Sequence, residues 1–115
     1  MKNLILATFL TVATTFSAHA DTIVLSAPMA GGTVHTDDVD MSVYWTPSDE
    51  AFEVVALYVP VGADTAPQKL QMRLDNGDSV TFGLPGFDGA TYNFERNADS
   101  LTVTGTQLPV AQKLN

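Results

Sequence analysis

Val39, Met41, Val43 and Trp45 recur at every second position, and Asp40, Ser42 and Tyr44 fill the places between them. Apolar and polar residues alternating with a period of two predict a strand with one face on a core and the other in water. The same grammar runs along the rest of the chain. Residues 22–27 predict a first strand, stopped at Pro28, and Met29-Ala30-Gly31-Gly32 predicts a loop. Residues 33–35 predict a short edge segment. Residues 68–74, 79–84, 91–96 and 101–106 are further short runs of β formers, separated by Gly, Pro, Asn and Asp clusters. The last two predict a hairpin across Asn97-Ala98-Asp99-Ser100. Residues 46–60 are less uniform. Thr46-Pro47-Ser48-Asp49-Glu50 has the capping hydroxyl, early proline and first-turn acids of a helix start. Residues 54–59 are β formers, apolar on both faces, and end at Pro60. The expectation is a turn, with room for one helical turn, followed by a central strand.

The pairing of residues 68–74 with 79–84 depends on the turn between them. With a two-residue turn on Asn76-Gly77, Met72 faces Thr81, and both sheet faces become half apolar. With a three-residue loop, Asp75-Asn76-Gly77, Met72 faces Val80 and Leu70 faces Phe82, so one face is apolar throughout. That second register predicts a left-handed Gly77 in a bulged hairpin. It also removes the need for a metal at Asp75 and Asp78, because the acids stop where a calcium loop would continue.

About seven short antiparallel strands predict an all-β domain: a single seven-stranded β-sandwich, with a small β-barrel as the other closure. Three local features sharpen this: Ser26-Ala27-Pro28 followed by Gly31-Gly32, the strand ending in Trp45, and Leu84-Pro85 ahead of Tyr92. Together they resemble an immunoglobulin-like or fibronectin-III-like sandwich. The resemblance implies a tyrosine corner at Tyr92, bonded to upstream backbone, although the interval from Leu84 is long for one. It also implies that residues 28–38, 60–67 and the Phe87 loop lie at one end, so that His35, Asp37, Asp64, Phe87 and Asp88 share a surface.

The amino terminus is read as a targeting device. Lys2 precedes an apolar stretch over residues 4–16, and Ala18-His19-Ala20 has the form that signal peptidase cleaves. The expected domains are a signal peptide over 1–20, a β-sandwich over 21–108 and a loose tail over 109–115, in a periplasmic or secreted protein. Of 115 residues, 95 then remain. They carry four basic residues (Lys69, Arg73, Arg96, Lys113) against thirteen acids, a formal charge of −9. Such a field opposes binding to nucleic acid and anionic lipid.

The chemistry on offer is narrow. There is no cysteine, so no thiol nucleophile and no cysteine-ligated metal. His35 is the one histidine beyond the signal, and no G-x-S-x-G, P-loop or G-x-G-x-x-G motif occurs. Tyr44, Tyr58 and Trp45 alternate within strands and read as core or rim rather than a sugar platform. The expectation is a non-enzymatic binding or accessory module without a cofactor. Its partner would be a periplasmic or cell-surface protein, or a glycan, met through Phe87, Asp88 and Asp64. The alternative is a copper or other divalent-metal protein using His35, Asp37 and Asp38, with Met29 as a further donor; Met41 falls on the core face.

Overall fold

The computed structural model describes residues 19–108; the expected tail at 109–115 and all but the last two residues of the expected signal lie outside them. Eight strands form: β1 (His19–Leu25), β2 (Gly32–His35), β3 (Val39–Ser48), β4 (Ala51–Pro60), β5 (Gln68–Leu74), β6 (Ser79–Leu84), β7 (Phe87–Asn97) and β8 (Ser100–Gln107). They build two four-stranded antiparallel sheets, ordered β1-β8-β7-β6 and β2-β3-β4-β5. The strand count is therefore eight rather than seven. β1 begins at His19, inside the expected signal. The strand order also departs from the immunoglobulin arrangement. That arrangement distributes successive strands as A-B-E-D and C-F-G. Here each sheet is a run of consecutive strands, and β1 joins its sheet beside β8.

The alternation in β3 does what its period requires: Val39, Met41, Val43 and Trp45 are buried, and Ser42 is exposed. β4 lies between β3 and β5 as a central strand, with Val54, Ala56 and Tyr58 on the core side. The expected turn forms, without a helical turn. β3 continues through Pro47, and Ser48 pairs with Ala51 across a two-residue turn. Asp49 and Glu50 both take positive φ, 52° and 72°, as a type I′ hairpin turn demands. The β7–β8 hairpin closes where expected, on Asn97 and Ser100, with Ala98 at φ 57°.

The linker Asp75–Asp78 is not a hairpin. β5 pairs with β4, placing Met72 opposite Val54, and β6 pairs with β7, placing Val80 opposite Phe94. The linker crosses from one sheet to the other. Gly77 does adopt φ 90°, and Asp78 N–H donates to Asp75 O at 3.0 Å. The one-face pattern held because both strands turn the same residues toward the shared core; Leu74 and Leu84 are buried. Only the partner changed. A short turn with one left-handed glycine serves a crossover between sheets as well as a hairpin.

The sheets are joined by polar groups as well as apolar ones. Tyr92 is fully buried, and its hydroxyl meets Thr36 Oγ1 at 3.0 Å in the opposite sheet's β2–β3 turn. This replaces the expected tyrosine corner, because Thr36 lies directly across the core. Burial raises the Tyr92 pKa above its ordinary value. Gly105 on β8 lets the sheets approach: a Cβ there would sit 2.6 Å from Val34 Cγ1.

Arg96 on β7 reaches furthest. Its guanidinium lies 3.9 Å from the centre of the Phe52 ring, and Trp45 stacks on Phe52 at 3.6 Å with 6° between planes. A ring has two faces, so the three side chains form a column from one sheet to the other. Arg96 Nη1 donates to Glu50 O at 2.8 Å and Leu74 O at 3.1 Å, and Nε donates to Ala98 O at 3.0 Å. Neither of the two ion pairs among the described residues, His35–Asp40 and Arg73–Glu53, includes it. Lysine lacks this planar fork and cannot serve three carbonyls in the same directions.

In urea unfolding, Arg96→Lys should lower stability by about 2–3 kcal/mol, since buried acceptors lose their donors. Exposed Arg73→Lys should change it by less than about 0.5 kcal/mol. Gly105→Ala should cost about 1–3 kcal/mol by overpacking. Equal midpoints for the two arginine variants would contradict this account of Arg96.

Candidate functional site

The register carries three connections to one end of the sandwich. Val39 pairs with Pro60, so the β2–β3 turn at 36–38 and the β4–β5 connection at 61–67 start side by side. Val61 N–H donates to Asp38 O at 2.9 Å and ties them together. On the other sheet, Leu84 pairs with Phe87 around Pro85-Gly86. Gly86 has φ 82°, as the third residue of a type II turn with proline before it requires. Residues 87–90, expected as loop, are the start of β7.

Phe87 is half-buried. It packs against the core and also lines a cleft of about 360 Å³ with Tyr58, Pro60, Thr65, Ala66, Gln68 and Pro85. The cleft joins the two sheets, since Tyr58 and Gln68 pair with each other in one and Phe87 belongs to the other. Its size suits a single large side chain or a small ligand. Asp64 and Asp88 are exposed and do not line it. Asp88 follows Phe87 in the strand and so takes the opposite face. Sequence reasoning singled out Phe87 but missed Thr65 and Gln68. Neither has a distinctive type or spacing, and only the fold brings them to Phe87.

His35, Asp37 and Asp38 sit at the same end but do not converge. His35 Nδ1 lies 2.7 Å from Asp40 Oδ1, and its backbone N–H donates to Asp21 Oδ2 at 2.7 Å. Asp37 instead turns its N–H to Gln107 Oε1 at 2.8 Å. No group of three or more His, Cys, Asp or Glu side chains suited to a metal occurs among the described residues. Alternation explains the exchange of partners. His35 on β2 faces Asp40 on β3, and opposed residues share a sheet face, whereas 37 and 38 occupy the turn.

The hydrogen bond to Asp40 holds the His35 imidazole above its usual range, with the negative charges of Asp40 and Asp21 acting the same way and desolvation opposing them. Both side chains are exposed.

A second cleft, of about 370 Å³, opens at the opposite end between Ser26, Pro28, Pro47, Glu50 and Asp99, with Trp45, Phe52 and Arg96 behind them. Here the guanidinium is already committed to carbonyls, and the two acids at the rim disfavour an anion.

Comparison of the chain with protein-family models, with curated proteins and with solved structures finds no match in any of them. The reading of the site therefore rests on its geometry.

The His35–Asp40 pair has a definite pH signature. A raised folded-state value means that its stabilisation is complete below the ordinary imidazole value of about 6.5 and is lost as pH rises through the folded value. In an NMR titration, Asp40→Asn should lower the His35 pKa, while Asp37→Asn should leave it nearly unchanged. A larger fall with Asp37→Asn would overturn the assignment of Asp40 as partner.

Proposed function

We infer that this chain is an exported, non-catalytic binding module that engages a partner protein through the connections at one end of its sandwich. One observation carries the reading. Phe87, Tyr58, Pro60 and Pro85 wall a cleft between the sheets, and Phe87 is only half-buried. Partly exposed aromatics at rigid turns anchor protein contacts, because they add apolar area at little cost in side-chain entropy. A protein suits this lining better than a glycan does. Thr65, Gln68 and the Tyr58 hydroxyl supply the polar side-chain groups of its lining, and sugar sites need more fixed hydrogen-bonding groups.

Export is inferred from the pattern of residues 2–20. Cleavage after Ala20 would leave Asp21 at the new terminus, still opposite Gly105 on β8 and still accepting from His35 N–H. The non-catalytic reading follows from the lack of cysteine, the single histidine beyond residue 20 and the absence of any nucleophile motif.

Purified residues 21–115 should retain a protein from periplasmic extract, and Phe87→Ala should retain at least about tenfold less. Equal recovery by two equally stable forms would count against the cleft, and retention of glycan alone would reassign the partner. Mass analysis of the exported protein should give a chain beginning at Asp21; an uncut chain would defeat the export inference.

A further inference from the structure

The cleft at the Arg96 end has a different chemical balance from the one at Phe87. Its floor is apolar, with Trp45 and Phe52 behind the exposed rings of Pro28 and Pro47. The two nitrogen-bearing side chains at its back donate to protein carbonyls. Arg96 serves Glu50 O, Leu74 O and Ala98 O, and Trp45 Nε1–H donates to Leu25 O at 3.1 Å. The acceptors at its mouth are not used in this way. Glu50 and Asp99 line the cleft and are exposed, and neither carboxylate belongs to either ion pair among the described residues. Glu50 meets Arg96 through its backbone carbonyl, which leaves its side chain at the rim.

The surroundings carry the same sign. Asp49 neighbours Glu50 in the β3–β4 turn, and Asp75 and Asp78 occupy the linker that bonds to the Arg96 backbone. Arg73 is committed to Glu53 at 3.0 Å. Arg96 itself is 9% exposed, so a charged group arriving from solvent meets carboxylates first. An anion is opposed there. A divalent ion needs more oxygen ligands than two carboxylates, and no metal-sized group of three acidic or histidine side chains occurs among the described residues. A cation on an apolar stem matches both parts of the cleft, because its methylenes can lie on proline and aromatic surface while its head stays with the acids. Met29, 64% exposed beside Pro28, adds apolar surface outside the cleft, on a loop held by Met29 N–H to Trp45 O at 2.9 Å. A free amine does not reach that surface, whereas the chain on either side of a bound side chain does.

We propose that this cleft receives a lysine side chain of a partner polypeptide, its methylenes against Pro28, Pro47 and the Trp45–Phe52 pair and its ammonium at Glu50 and Asp99. Charge complementarity selects the sign: the chain carries a net charge of −8, and the two acids at this mouth come from different hairpin turns. Geometry selects lysine over arginine. A compact ammonium with three donors can be shared between carboxylates from separate turns, whereas a planar guanidinium seeks both oxygens of one. A guanidinium would also gain from stacking, yet both faces of Phe52 are already covered, one by Trp45 and the other by Arg96. The volume of about 370 Å³ accommodates one such side chain. This contact lies at the opposite end from Phe87 and does not depend on the cleft there.

An NMR titration of the purified protein with N-acetyl-lysine N-methylamide tests this. The signals of Ala51, Phe52 and the Trp45 indole N–H should shift and saturate, with a dissociation constant of roughly 1–30 mM. The norleucine analogue, with an apolar stem and no charge, should bind at least about fivefold more weakly, and added salt should weaken the lysine compound at least about twofold. Glu50→Gln and Asp99→Asn should each raise its constant about two- to fivefold. Glu50→Gln keeps the carbonyl that Arg96 holds, and circular dichroism verifies the fold of each variant. Asp64→Asn at the other end should leave the constant unchanged. No saturable shift at this cleft up to about 100 mM overturns the proposal. So does equal binding of the norleucine analogue, tighter binding of the arginine analogue, or a set of shifts confined to Thr65, Gln68 and Phe87.

Discussion

The sandwich depends on a buried arginine. Arg96 leaves one sheet, crosses to the other and stacks on Phe52, which stacks on Trp45. Its hydrogen bonds end three different segments: the β3–β4 turn at Glu50, the end of β5 at Leu74 and the β7–β8 turn at Ala98. Its backbone joins the same knot, since Arg96 O accepts from Gly77 N–H and Arg96 N–H donates to Asp78 O. A chain without cysteines has no disulfide to hold its turns. A planar donor fork that serves several carbonyls at once does comparable work, and the aromatic column shields it from water. Glu50 illustrates the consequence. Positive φ is unfavourable for glutamate, and its carbonyl is held there by Arg96.

The two ends of the molecule differ as a result. The Arg96 end is cross-tied through side chains and main chain, and its cleft has its donors already engaged. The Phe87 end is tied at separate points rather than through one side chain, with Tyr92 meeting Thr36 and His35 meeting Asp21 and Asp40. Gln107 bridges Asp37 N–H and Gly89 O there, and Val61 bonds to Asp38. Its cleft is walled mainly by proline and aromatic surfaces.

Some of the candidate site was legible in the chain. Phe87 beside Pro85-Gly86 marked itself, because a large apolar residue next to a tight turn has few places to hide. Its companions Thr65 and Gln68 did not, since common polar residues on a connection acquire meaning only from what the fold sets beside them. His35, Asp37 and Asp38 do not come together, for a related reason. Nearness in sequence suggested nearness in space, yet a strand pair puts His35 opposite Asp40 and sends residues 37 and 38 around the turn. Thr46-Pro47-Ser48-Asp49-Glu50 left a helical turn open because proline and early acids also occur in hairpins, and the bond to Arg96 comes from 46 positions further along the chain.

Local pattern determined what depends on local chemistry. It set the all-β class, the core faces of β3, β5 and β6, the left-handed Gly77 and the hairpin at 97–100. A period of two and a glycine's freedom are properties of a few adjacent residues. The tertiary structure alone decided which strand lies beside which. Met72 meets Val54 rather than Val80, and β1 closes on β8 across most of the chain. Pairing depends on competition among all available edges, and an inward-facing apolar strand satisfies the same core from either side of the crossover. The arginine column was decided there too, because its three members come together only when two sheets close on one another.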